Sequence, residues 1–202
     1  NNRATGSFRV SERYDFAGSF ERIWASPSEV IEPGSVNISA VFFNLREDTA
    51  EDVVVQCYVY NPDLHDTIEE RIPFDEPQII DSLPGDGSAT ISCTLETEGL
   101  SGRNYVYAVA DPDDAFPEVR EDNNEAIVTV VTYRQPNLMG ESISASSSVY
   151  EGTLVSITGR FKNTGGVTLQ QVPVAIYIGE PAAGGTRLAP DQIIATVNPD
   201  TS

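Results

Sequence analysis

Apolar residues recur at every second position along this chain, in short runs divided by turn residues. Val36, Ile38, Ala40 and Phe42 alternate with Asn37, Ser39, Val41 and Phe43, and Val53, Val55, Cys57 and Val59 alternate in the same way. A period of two sends successive side chains to opposite faces, so each run predicts a β-strand with one buried face. Ile23 and Trp24 open the first predicted strand, Pro33 and Gly34 turn into a strand at 36–44, and further strands fall at 53–60, 89–95, 104–110 and 126–132. No stretch sustains a period of 3.6, so helices are expected to be minor or absent. The expected fold class is all-β, built as sandwiches.

The chain also matches itself. Val36 to Asn44 lines up with Val155 to Asn163 at a spacing of 119, and Val53, Val55, Cys57 and Val59 fall on Val172, Val174, Ile176 and Ile178 at that spacing. Gln78 to Pro84 then matches Gln192 to Asn198 at a spacing of 114, so the copies agree in strands and differ in loop length. At the start, Asn1-Asn2-Arg3-Ala4 resembles Asn123-Asn124-Glu125-Ala126, which precedes the last strand of the first full copy. Three segments are therefore expected: 1–16 as the closing strand of a preceding repeat or a donor strand, 17–133 as a complete sandwich, and 134–202 as the first half of a second.

Charge narrows the partners. Thirty-one acidic residues against twelve basic ones leave a formal charge of −19, and only Lys162 among the basic residues is a lysine. Such a surface repels a phosphate backbone, so nucleic acid is excluded as a partner. No run approaches the roughly 18 apolar residues needed to span a bilayer, so no membrane insertion is expected in this segment. An acidic surface suits a medium whose cations screen its self-repulsion, and it equally serves plain solubility.

The stretch Val109-Ala-Asp111-Pro-Asp113-Asp114-Ala-Phe-Pro117-Glu118-Val-Arg-Glu121-Asp122-Asn123-Asn124 resembles the signature of CARDB repeats, the cell-adhesion-related domain of bacterial and archaeal surface proteins. The Pro33-Gly34 turn, the strand ending in Asn44 and the Leu83-Pro84-Gly85-Asp86-Gly87 turn resemble the same family. The resemblance implies tandem immunoglobulin-like or fibronectin-III-like β-sandwiches, the last one incomplete, on an extracellular or cell-surface protein. Members of that family stand both in adhesins and as spacers in large secreted enzymes.

Cys57 and Cys93 each share a face with apolar neighbours, Val53, Val55 and Val59 in one strand and Ala89, Ile91 and Leu95 in the other, so both thiols point inward. In a CARDB-like sandwich the two strands lie in opposite sheets, which implies a disulfide across the core and an oxidising compartment. The acidic loop offers Asp111, Asp113, Asp114, Glu118, Glu121, Asp122 and Asn123 as oxygen donors for Ca²⁺, the one cofactor considered. The same residue types also stabilise turns by accepting backbone N–H bonds, and both uses fit the sequence.

By alternation, Tyr58, Tyr60, Tyr105 and Tyr107 face outward on neighbouring strands, while Val41 and Phe43 face outward on the other sheet. These residues are the expected interaction surface, for surface glycans, other copies of the chain or neighbouring repeats. Asn37-Ile38-Ser39 is the single N-glycosylation sequon of the chain, with Asn37 facing outward. His65, the lone histidine, lies in a polar loop with no Ser or Cys placed to use it, so the chain is expected not to be an enzyme.

The expected function is that of a noncatalytic structural or adhesive repeat protein. An incomplete last repeat exposes strand edges that invite a strand from another chain, and Phe8, Val10, Tyr14 and Phe16 have the alternation to supply one, giving a strand-exchanged filament. The alternative is an accessory or carbohydrate-binding spacer module of a large secreted hydrolase.

Overall fold

A strand with one apolar face is stable only when a second layer covers that face. The computed structural model describes residues 14–199, with Phe20 described by its backbone alone. Those residues form β1 (Phe16–Ala17), β2 (Ile23–Ser26), β3 (Glu29–Ile31), β4 (Ser35–Asn44), β5 (Ala50–Tyr60), β6 (Ile72–Leu83), β7 (Ser88–Glu96), β8 (Gly102–Ala110) and β9 (Glu125–Tyr133). They continue with β10 (Leu138–Ala145), β11 (Ile157–Asn163), β12 (Leu169–Val174), β13 (Tyr177–Ile178), β14 (Thr186–Arg187) and β15 (Gln192–Val197). Between them the described residues hold only single-turn 3₁₀ helices. The chain is all-β, and it divides into two compact units between Thr132 and Tyr133.

The first unit is a sandwich. One sheet has β4 at its centre, pairing β7 along one edge and β1 and β2 along the other. The facing sheet runs β3-β9-β8-β5-β6. Every alternate residue of β4, from Val36 through Ile38, Ala40 and Phe42, is fully buried, and all four join Val53, Val55, Val106, Ala108 and Val130 of the other sheet in one core. Burying a Val, Ile or Phe side chain completely contributes about 1.5–3 kcal/mol, so this alternation is the main source of the fold's stability.

Two sequence expectations are corrected here. Tyr14 and Phe16 were grouped with a strand for another chain, yet both sit in this unit. Phe16 is fully buried and pairs with Asn44, and Tyr14 exchanges backbone bonds with Pro117 and Val119. The reason is aromatic packing: Tyr14 stacks on Phe16, and Phe116 meets both edge-to-face, with ring centroids 5.1–5.9 Å apart, which closes one end of the core. Phe8 and Val10 lie outside the described residues. The second correction is β6, a twelve-residue strand where no strand was expected. Pro73 and Pro77 interrupt its alternation, and both are tolerated because β6 is an edge strand.

The second unit repeats the strand pairing of the first as far as it goes. β10 pairs β11, β12 pairs β15, and β13 pairs β14. The register of β12 on β15 places Leu169 on Val197, Val172 on Ile194 and Val174 on Gln192, while β5 on β6 places Ala50 on Leu83, Val53 on Ile80 and Val55 on Gln78. At spacings of 119 and 114 these are the same pairs. Even the left-handed residue recurs, with Asp52 and Gln171 both at a φ of 54°.

Candidate interaction surfaces

The cysteines come first because they fix the sandwich. Cys57 on β5 and Cys93 on β7 stand in opposite sheets and are joined by a disulfide, with Cα atoms 6.6 Å apart and both residues about 1% exposed. The bond crosses the core, where the sheets approach more closely than the ~10 Å usual between packed sheets.

In the acidic loop two carboxylates, those of Asp111 and Glu118, turn inward to the backbone. Asp111 accepts N–H bonds from Ala115 at 2.9 Å and Phe116 at 2.8 Å, so its side chain closes the turn. Glu118 is 2% exposed and accepts from the Phe16 N–H at 2.5 Å and from Asn124 Nδ2 at 2.6 Å, tying β1 to the loop. Burial pushes the Glu118 carboxyl up to about 7 against the lowering effect of those two bonds, and Glu121 and Asp111 push it the same way as burial. Asp113, Asp114, Glu121 and Asp122 stay at the exposed rim. Among the described residues no group of three or more His, Cys, Asp or Glu side chains is arranged to hold a metal ion. The loop's geometry is that of a turn held by its own side chains.

The tyrosine face is less open than alternation implies. Tyr58 pairs with Tyr107 and Tyr60 with Tyr105 across β5 and β8, as neighbouring strands require. Arg71, arriving from the loop after β5, places its guanidinium 4.8 Å from the Tyr58 ring centre and 5.3 Å from that of Tyr107, and bonds Glu125 at 2.6 Å. Tyr107 is consequently buried, and Tyr58, Tyr60 and Tyr105 are half-buried. His65 stacks on Tyr60, and its Nδ1 accepts the Asn61 N–H. The loop that alternation cannot see covers this face, so the four tyrosines do not form the exposed surface expected of them.

A different face is open. On the outer side of the β2-β4-β7 sheet, the register sets Ser26, Asn37 and Thr94 in one row and Trp24, Ser39 and Ser92 in the next. Val41 with Thr90 and Phe43 with Ser88 continue it. Trp24 is 48% exposed, Val41 and Phe43 are half-buried, and Arg22 lies 6.0 Å from the centre of the Phe43 ring. Ser39 Oγ donates to Asn37 Oδ1 and lies 3.2 Å from Ser92 Oγ, a short ladder of hydroxyls beside the indole. Asn37, the sequon residue, is exposed on this face. Except for Glu96 at one corner, the outward positions of β2, β4 and β7 carry no charge. Outward Ser26, Ser88, Thr90, Ser92 and Thr94 were readable in the sequence; the missing step was which strands lie side by side.

The second unit presents a groove of about 700 Å³ lined by Ile143, Ile157, Phe161, Val174, Ile176 and Ile194 among others. Ile143 is 69% exposed. The groove occupies the inner side of β11 and β12, the side that in the first unit is the core.

No family model matches the chain, and no curated protein matches it. CARDB domains are among its neighbours in the solved structures. The chain is similar to the CARDB domain of the PF1109 protein of Pyrococcus furiosus, solved in complex with di-metal ions, at 17% identity and a TM-score of 0.47, covering 61% of this chain and 97% of that one. It is similar to a domain of a cell surface protein of Methanosarcina acetivorans at 20% identity and a TM-score of 0.45, covering 60% and 93%. Part of a β-glucosidase of Listeria innocua also aligns, at 12% identity and a TM-score of 0.37, covering 59% of this chain and 16% of that enzyme. Among the described residues no helix is long and apolar enough to cross a membrane.

Proposed function

We propose that this chain is a noncatalytic structural and adhesive repeat protein of the cell surface, and that in its working form it is a filament subunit completed by strand exchange between chains. Adhesion takes place through the outer face of the β2-β4-β7 sheet. The observation that carries this reading is a half-exposed tryptophan among outward strand residues that, Glu96 apart, carry no charge, in a chain of net charge −19.

A neutral partner approaches that face without meeting the acidic field that surrounds the rest of the protein. The Trp24 indole offers a flat apolar ring on which a sugar ring can pack, and Ser39, Ser26 and Asn37 offer donors and acceptors around it. The ligand class that fits is a neutral glycan, and the disulfide holds the presenting sheet rigid. The experiment is retardation of the protein in gels containing neutral polysaccharides. Trp24→Ala abolishes retardation and Tyr58→Ala leaves it unchanged; retardation that survives Trp24→Ala contradicts the assignment.

A further inference from the structure

Asn37 opens the Asn-Ile-Ser sequon, and the alternation of β4 turns its side chain outward while Val36 and Ile38 go to the core. Ser39, the hydroxyl residue of the sequon, stands on the same face and donates to Asn37 Oδ1 at 3.3 Å. The register flanks Asn37 with Ser26 and Thr94, both small and both exposed, so a group attached to the Asn37 amide extends into solvent and displaces nothing from the core. Trp24 pairs Ser39 as Ser26 pairs Asn37, which makes Trp24 the diagonal neighbour of Asn37 across β2 and β4. Diagonal neighbours on one face of a sheet stand about 7–8 Å apart, within reach of a sugar held on the asparagine.

β4 is paired on both edges in the folded unit, so its amide meets a transferase before β2 and β7 close on it. In the transfer the Asn37 amide nitrogen forms a C–N bond to the anomeric carbon of an oligosaccharide carried on a lipid phosphate. The bond from that carbon to the phosphate oxygen breaks, the phosphate leaves with the electron pair, and the amide gives up one proton. Nothing is oxidised or reduced. The Cys57–Cys93 disulfide persists in an oxidising compartment, and sequons are used on proteins that pass through one.

We infer that Asn37 is an N-glycosylation site whose first sugar packs on the Trp24 indole, so that the modified chain carries its own cover over the adhesion face. The covering role rests on the adhesion reading and names a regulation of that same site. A sugar ring offers its C–H face to the flat indole and its hydroxyls to Ser26, Ser39 and Ser92 around it. Because the sugar is tethered beside the ring, its effective concentration there exceeds that of a free glycan, and it keeps the face closed. Chains without the sugar adhere, and chains with it do not.

The test begins with the protein purified from the cells that produce it naturally, beside Ser39→Ala, which removes the sequon, and Ser39→Thr, which keeps it. Trypsin cleaves after Arg22 and Arg46 and releases residues 23–46, which contain the sequon. Mass spectrometry of that peptide is expected to find sugar on Asn37 in the wild type and in Ser39→Thr, and none in Ser39→Ala. Trp24 is the single tryptophan, so quenching of its fluorescence by acrylamide reads the cover. The quenching constant is expected to be roughly twofold lower than for wild-type chain made in cells that lack the transferase, because a stacked sugar shields one face of the ring. A bare 23–46 peptide from the wild type overturns the inference, and so does a sugar that leaves quenching unchanged. Gels containing neutral polysaccharide separate this from the adhesion reading. Retardation of the unmodified chain but not of the sugar-bearing one supports both; equal retardation of the two overturns the cover. An unmodified chain that is not retarded overturns the adhesion reading, while the peptide and the quenching still decide the site.

Discussion

Asn44 and Asn163 lie 119 positions apart and make the same hydrogen bonds. Asn44 Nδ2 donates to the Asp48 carbonyl at 2.7 Å and the Leu83 carbonyl at 3.3 Å; Asn163 Nδ2 donates to Val167 at 2.7 Å and Val197 at 3.3 Å. On the other side, Asn44 Oδ1 accepts from Arg46 and Asn163 Oδ1 from Gly165. Each asparagine, 1% exposed, ends one strand and ties it to the strand pair of the other layer. Two units with the same internal clamp have the same local fold.

Removing the clamp leaves buried carbonyls without donors. Asn44→Ala is expected to lower the unfolding free energy of the first unit by about 2–3 kcal/mol, the cost of several lost bonds and unsatisfied groups. Urea denaturation followed by the Trp24 fluorescence measures it, and a loss under about 0.5 kcal/mol would show that the clamp is incidental.

Cys57 and Cys93 close a loop of sequence separation 36. Constraining the unfolded chain this way stabilises the first unit by about 3–4 kcal/mol in the chain-entropy model. Calorimetry with and without reductant should show that reduction lowers the melting temperature of the first unit. An unchanged melting temperature would mean that packing alone holds the two sheets.

Glu118 makes stability depend on pH in an unusual direction. Its carboxyl is raised from about 4.5 to about 7 in the folded state, so its contribution is complete below about pH 4.5 and is lost as pH rises through about 7. Glu118→Gln, which stands in for the protonated acid, is expected to match the wild type near pH 4.5 and to exceed its stability by on the order of 2–3 kcal/mol at pH 8. The amide of Asn124 can rotate to meet the new N–H₂ with its unpartnered Oδ1. A constant difference across that range would show that the Glu118 proton plays no part.

The central strands of the first unit were legible because burial on one face writes a period of two into the sequence, as in Val36, Ile38, Ala40 and Phe42. The inward direction of Cys57 and Cys93 followed from the same alternation, and their pairing from the family resemblance. What stayed hidden depends on contacts between distant segments. Arg71 buries Tyr107 from a loop whose path has no periodic signal, and Tyr14 and Phe16 fill the core of the first unit beside Phe116, a residue 100 positions beyond Phe16. β6 was unreadable because an edge strand tolerates prolines and charges that a central strand excludes. The uncharged face around Trp24 needed the register of β2, β4 and β7 before its residues could be seen as one surface.

The central claim is that the described strands of the second unit repeat the front strands of the first, with β11 and β12 each paired on one edge among the described residues. Backbone hydrogen exchange on the dilute chain tests it most directly, by comparing residues 38–44 of β4 with residues 157–163 of β11. The account predicts slow exchange throughout the first segment, which is paired on both edges, and fast exchange of about half the amides in the second, which is paired on one. Equal protection of the two segments in the dilute monomer would contradict it.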